Sequence, residues 1–296
     1  MTVQQNERLA EQFEKNRSHL RAVAYRMLGS VNEADDAVQE AWLRLSHADA
    51  STIENLGGWL TTVVARVSLD MLRSRTSRRE EPLEPQASEP IANSGAGTDP
   101  EQETLLADSV GLALLVVLDR LAPAERLAFV LHDMFAVSFE EIAMIINRLP
   151  AAARQLASRA RRRVQGTSAV PKTDVAEQRK VVNAFLGALR SGDFEGLLTV
   201  LDPDVVVRVD EAAARPGAPR EIRGAANWAK GAIAFSQLAR SLQMMLVNGE
   251  VGLVWAPRGK SLRVLKFAIT HGKIVQADVI ADPARLHELD FAVLND

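Results

Sequence analysis

Residues 80–108 carry eight Asp/Glu and not one Lys or Arg, and they mix Pro, Gly and Ser with few large apolar side chains. Such a stretch buries too little apolar surface to offset the entropy of ordering it, so it reads as a linker. The chain must then fold as separate units on either side. A second break falls at 166–173, Gly-Thr-Ser-Ala-Val-Pro-Lys-Thr. At 296 residues the chain exceeds the roughly 100–200 of one domain, which fits two or three compact units. The expected division is a helical domain at 8–79, the acidic linker at 80–108, a second helical domain at 109–165 and a third domain of another class at 175–296.

Before the linker the apolar residues recur at helical spacing. Leu20, Val23, Ala24, Met27 and Leu28 form one stripe, Ala37, Val38, Ala41, Trp42 and Leu45 a second, and Leu60, Val63, Val64, Val67 and Met71 a third. After it, helices are expected at 105–121 and about 123–135. The run Ser138-Phe-Glu-Glu141 is a capping box opening a third helix, Asn147 closes that helix, and Pro150 opens a fourth reaching about Val164. A short helix, a tight turn and an Arg-rich helix make a helix-turn-helix. Beyond the second break the pattern changes class. Helices are expected at 181–189, 194–201 and 225–238, and β-branched or alternating runs at 205–209, 243–247, 251–255, 262–270 and 274–280 read as strands of a curved antiparallel sheet. The fold class is therefore multidomain, with two all-α domains followed by an α+β domain.

The formal net charge of −3 hides a segregation: +1 over 1–79, −8 over 80–108, +3 over 109–165 and +1 over 166–296. Residues 148–163 hold six arginines and no acid, and 66–79 hold five arginines against Asp70 alone. Two local cationic patches in a mildly acidic chain point to polyanion contacts at defined places. The absence of cysteine excludes disulfides, thiolate zinc sites and a cysteine nucleophile, and five scattered histidines give no pair at ligand spacing. No metal and no cofactor is expected. No apolar run approaches the ~18–20 residues of a membrane span and the opening is polar, so a cytoplasmic protein without membrane contact is expected.

Three motifs carry chemistry. With Ala153, Leu156, Ala157, Ala160 and Val164 as the buried stripe of the fourth helix, Arg154, Gln155, Ser158, Arg159, Arg161 and Arg162 remain on exposed faces, where they can reach phosphates and base edges of a major groove. The helix through Asn32–Leu45 sets Asp35, Asp36, Gln39 and Glu40 opposite its apolar stripe, an acidic and amide-bearing face for a basic partner. The third run, from Trp59 to Arg75, places Arg66 and Arg73 seven residues apart on one face.

Together these motifs resemble an extracytoplasmic-function sigma factor of bacterial RNA polymerase over about residues 10–165. Asp-Asp-Ala-Val-Gln-Glu-Ala-Trp-Leu-Arg (35–44) is similar to the family helix that docks on the polymerase clamp. Trp-Leu-Thr-Thr-Val-Val-Ala-Arg-Val-Ser-Leu-Asp-Met-Leu-Arg (59–73) looks like the part of the sigma-two domain that reads and opens the minus-ten element. Ser-Phe-Glu-Glu-Ile-Ala (138–143) and Arg-Gln-Leu-Ala-Ser-Arg-Ala-Arg-Arg-Arg (154–163) look like sigma-four, whose last helix reads the minus-thirty-five element. The resemblance implies DNA contacts from Trp59, Arg66, Arg73, Arg75, Arg154, Gln155, Ser158, Arg159 and Arg162, and core-polymerase contacts from Asp35, Asp36, Gln39 and Glu40. Three positions depart from the family pattern: Val67 stands where Asn is frequent, Asn147 where the turn often has Gly, and Leu149 where a Ser or Thr cap is common. They bear on fine promoter preference.

Residues 175–290 resemble the SnoaL-like branch of the cone-shaped NTF2-like fold, in Phe-Leu-Gly-Ala-Leu-Arg-Ser-Gly-Asp-Phe-Glu-Gly-Leu-Leu (185–198) and Leu-Asp-Pro-Asp-Val-Val (201–206). Sigma factors with such an extension form a subgroup, so the resemblance implies regulation from within the chain. The subgroup's motifs are partly kept, as Pro82-Leu-Glu-Pro85, Asp210-Glu-Ala-Ala and Asp282-Pro-Ala-Arg-Leu286. The same fold supports isomerases, which leaves an alternative: a cone pocket lined by Asp210, Trp228, His271 or Asp278 that binds an unknown small molecule or abstracts a proton next to a carbonyl. The expected partners are core RNA polymerase and promoter DNA, and no catalytic residue is assigned.

Overall fold

Buried stripes at helical spacing become three long helices in the computed structural model, which describes residues 3–48, 53–80, 111–166, 172–214, 217, 219–256 and 262–294. The acidic segment past Glu80, with its Pro82-Leu-Glu-Pro85 motif, and residues 167–171 of the second break lie outside the described residues. The chain divides into two compact units, Met1–Gly111 with Leu118–Arg161 and Leu112–Val117 with Arg162–Asp296.

In the first unit, α1 (Val3–Leu28), α2 (Val31–His47) and α3 (Leu56–Glu80) pack on one another. Leu20, Val23, Ala24, Met27, Ala37, Ala41, Leu45, Leu60 and Val64 are fully buried between them, and Phe13 tilts onto Trp42 at 5.0 Å. Gly29, at φ 71, turns the chain out of α1, a left-handed geometry that glycine adopts without steric penalty. Ser30 then caps α2 by accepting from the Glu33 amide.

The helix-turn-helix follows as α4 (Leu112–Asp119), α5 (Pro123–Phe129), α6 (Phe139–Ile146) and α7 (Pro150–Gln165). The single helix expected at 123–135 is instead α5 followed by a π-helical turn over Val130–Met134. The consecutive burial of Leu127, Ala128, Phe129, Val130 and Leu131 leaves no one-sided apolar stripe from which the change of helix type could be read. The Ser138–Glu141 capping box forms in both directions. Asn147 adopts left-handed geometry at φ 54, ψ 54 and its amide donates to the Ala143 carbonyl, which ends α6. Ala153, Ala157 and Ala160 of α7 are all fully buried.

The second unit is a seven-stranded sheet in the order β2-β1-β6-β5-β4-β3-β7, with helices packed on it. Its elements are α8 (Lys172–Ser191), α9 (Phe194–Val200), β1 (Leu201–Val209), β2 (Glu221–Arg223), α10 (Ala225–Ile233), α11 (Ser236–Ala239), β3 (Gln243–Val247), β4 (Glu250–Trp255), β5 (Arg263–Thr270), β6 (Lys273–Ile280), α12 (Pro283–His287) and β7 (Phe291–Ala292). The core stacks Phe185 on Trp228 at 5.1 Å and sets its edge to Phe267 at 5.5 Å, amid the fully buried Val182, Leu197, Ile274 and Ala277.

Four local expectations change here. The sheet is not wholly antiparallel: β1 runs parallel to β6, a pairing made possible by the long connection between them. β1 starts at Leu201 and takes in Asp202-Pro-Asp204, with its register shifting between Leu201 and Val206. α8 starts at Lys172, not 181, because its first two turns are polar; Gln178 accepts from the Val251 amide at 2.9 Å and so ties that polar start to β4. The helix expected at 225–238 breaks at Phe235 into α10 and α11.

Candidate nucleic-acid interface

The stripe that buries Ala153, Leu156, Ala157, Ala160 and Val164 leaves every polar side chain of α7 near solvent, and the structure then sorts them. Arg161 donates from Nε at 2.8 Å and Nη2 at 2.6 Å to Asp133 Oδ1 in the π-helical turn. Arg154 donates from Nη2 to Glu140 Oε1 at 3.1 Å and lies over the Phe139 ring at 5.6 Å. Phe139 is itself stacked on His132 at 3.8 Å, whose Nδ1 meets the Val137 carbonyl at 3.0 Å. Arg154 and Arg161 stand seven residues apart, two turns of one helix, so both point along the flank facing α6 and the π-turn. Gln155, Ser158, Arg159 and Arg162 are exposed on the other flank, and among the described residues none of the four has an ion-pair or side-chain hydrogen-bond partner. Sequence reasoning grouped Arg154 with these four and missed Asp133 and Glu140 as partners. The signal was the seven-residue spacing.

On α3, Arg66 is exposed and donates from Nη2 to the Met144 carbonyl of α6 at 3.3 Å. Arg73 is exposed 3.7 Å from Asp70. Arg75 donates to the Leu28 carbonyl at 3.3 Å and pairs with Glu33. Trp59 is half-buried in the first turn of the helix. On α2, Asp35 is held by Arg21 through two bonds of 2.6 and 2.9 Å and Glu40 by Arg44 at 2.9 Å. Asp36 and Gln39 are exposed without such a partner among the described residues. Glu40 and Arg75, expected to serve different partners, line one open groove of about 330 Å³ between α2 and α3, together with Glu33, Arg44 and Asp70.

Arg126 of α5 joins the ends of α1 and α4. Its guanidinium is 3% exposed, donates from Nη1 to Asp119 Oδ1 at 2.6 Å and from Nε to the Arg26 carbonyl at 3.2 Å. Burial pulls it below the usual arginine value, and Asp119 opposes that. Arg26, also lowered by burial, lies over the Phe135 ring at 5.1 Å, and His19 meets the same ring edge-on at 5.2 Å.

The four residues named for a cone pocket have separate settings. The Asp210 carboxylate, 7% exposed, accepts from the amides of Ala213, Ala281 and Asp282, each at 2.8 Å, which closes the loop after β1 onto the loop after β6. Trp228 belongs to the core. Asp278 accepts from Gln276 Nε2 at 3.1 Å. His271 sits at φ 52 in the β5–β6 turn, seven residues from Asp278 and so roughly 20 Å away along an extended strand. Among the described residues no group of His, Asp and Glu is arranged to hold a metal ion, and no helix is long and apolar enough to cross a membrane.

Two family models match the chain, Sigma-70 region 2 over residues 12–78 and Sigma-70, region 4 over 111–164. Full-length relatives are similar as well. The ECF RNA polymerase sigma factor SigJ of Mycobacterium tuberculosis is 38% identical over 285 residues, 92% of this chain and 91% of its own. The probable ECF RNA polymerase sigma factor SigI of the same species is 34% identical over 294 residues, 97% and 98%. The crystal structure of Mycobacterium tuberculosis SigJ superposes with a TM-score of 0.46 at 34% identity, covering 94% of this chain and 98% of that one.

The Asp210 geometry predicts a structural role that denaturation can test. Asp210→Ala strands three backbone donors, and each buried donor left unpaired costs about 1–3 kcal/mol. The expected outcome in chemical denaturation is a loss of at least about 2 kcal/mol in the second unit.

Proposed function

The chain belongs to the extracytoplasmic-function RNA polymerase sigma factors, and from that premise we propose how its own residues divide the work of promoter-specific initiation. The mechanism is recruitment without covalent chemistry, carried out in the cytoplasm where polymerase and promoter meet. The exposed flank of α7, with Gln155, Ser158, Arg159 and Arg162, holds the upstream promoter element. The α3 face with Trp59, Arg66, Arg73 and Arg75 engages the opened downstream element, and the α2 face with Asp35, Asp36, Gln39 and Glu40 docks on core polymerase. The observation that carries this reading is the sorting of α7: two arginines are held by Asp133 and Glu140, while an opposite flank of polar and cationic side chains stays unpaired among the described residues.

Arg66 bonded to the Met144 carbonyl describes a state in which the first unit is closed on itself. Reading two elements separated along a duplex that rises ~3.4 Å per base pair requires α3 to part from α6 and α7, breaking that bond. The domain following α7 regulates this step in cis, since a tethered domain meets its neighbours at an effective concentration commonly in the millimolar range. Its aromatic core and the engaged Asp210 favour a regulatory over a catalytic role.

Run-off transcription with purified core polymerase tests the reading. The full-length chain should direct initiation from its own promoter, and truncation after Gln165 should change the yield several-fold, upward if the domain masks surfaces that polymerase needs. Equal yields would remove regulation in cis. Arg159→Ala and Arg162→Ala should each weaken promoter binding and lower the slope of log affinity against log salt by about 1. Asp36→Arg should abolish copurification with core polymerase while circular dichroism stays unchanged, because exposed charge changes usually alter stability by less than about 0.5 kcal/mol.

A further inference from the structure

Leu149 occupies the position just before Pro150, where the backbone carbonyl accepts from the Ala152 and Ala153 amides at 2.9 and 3.2 Å and so opens α7. A Ser, Thr, Asp or Asn there would also cap the first turn with its side chain; a leucine accepts nothing. Its side chain is not used for packing either. At 75% it is the most exposed large hydrophobic side chain among the described residues. A lone exposed leucine needs no explanation, but this one has exchanged a stabilising cap for an apolar tip at the one end of the helix that reads base edges. It follows Asn147, whose left-handed geometry aims the chain into α7, and the exposed Arg148. It precedes the small, exposed Ala151 on the way to Gln155 and Arg159. The patch is thus continuous with the DNA-reading flank, and the apolar feature that a major groove presents is the 5-methyl group of thymine.

We propose that Leu149 is a specificity-determining residue that reads a thymine methyl in the upstream promoter element. The proposal rests on the reading of α7 as the helix that binds this element. Arginine and glutamine on the same flank supply contacts to phosphates and to G or A edges, and the leucine adds a contact that depends on one carbon atom.

The test uses holoenzyme assembled from the full chain and core polymerase. The upstream element is first selected from randomised duplex, and each thymine in it is then replaced singly by deoxyuridine, which removes the methyl and keeps the base pair. The expected result is one position at which the replacement weakens binding about fourfold, the worth of one buried methyl group. Leu149→Ser should bind thymine and deoxyuridine equally there while melting no lower than the parent, since serine restores the cap, and Leu149→Met should keep the discrimination. An element with no thymine, no position sensitive to the methyl, or equal sensitivity in parent and Leu149→Ser would overturn the proposal and leave α7 as the reading helix. Failure to select any element would overturn both.

Discussion

A guanidinium buried as deeply as that of Arg126 is tolerated only if its charge is paired, because desolvating a lone cation costs several kcal/mol, a large share of a domain's stability. Asp119 from the end of α4 supplies the charge and the Arg26 carbonyl from the end of α1 supplies an acceptor. One side chain on α5 therefore holds the ends of two other helices at hydrogen-bond distance. The exposed position of the Asp119 carboxylate keeps this pair from being a fully dry one, which eases its desolvation. Around it, Arg26 and His19 close on Phe135, and Arg66 reaches Met144. The first unit thus carries polar bonds and ring contacts between helices beside the fully buried aliphatic seams between α1, α2 and α3.

The same rule of charge pairing shapes α7. Six arginines between 148 and 163 repel one another, and an acid within the run would quench the patch. The acids are placed instead on the preceding elements, Asp133 in the π-turn and Glu140 in the first turn of α6, where they hold Arg161 and Arg154 along one flank. Both pairs are partly exposed, so each adds little to stability. Their effect is orientational, since they keep Arg154 beside α6 and Arg161 beside the π-turn.

In the second unit a carboxylate that has the look of a catalytic base serves the backbone. Asp210 takes three amides from two loops, and the parallel β1–β6 pair beside it is held where the two strands end. Three of the roughly four lone-pair sites of this carboxylate accept from main-chain donors, which fixes it between the two loops that it joins.

The helical stripes, the capping box of α6, the left-handed turn at Asn147 and the Arg-rich helix after Pro150 were all legible in the sequence, because each depends on residues within one or two turns of one another. The same holds for the hairpin at His271-Gly272 and for the long strands, where period-2 alternation is a local property. Tertiary structure alone decided which strand β1 would join, that two-residue β7 would find an edge on β3, and that the polar start of α8 would be helical through Gln178 and β4. It also decided which arginines of α7 pair with carboxylates, since Asp133 and Glu140 lie 28 and 14 residues from their partners and become neighbours only in the folded chain. Local periodicity specifies the face that is buried; pairing among the exposed residues depends on which carboxylate the folded chain brings within ~3 Å, and that distance is a property of the fold.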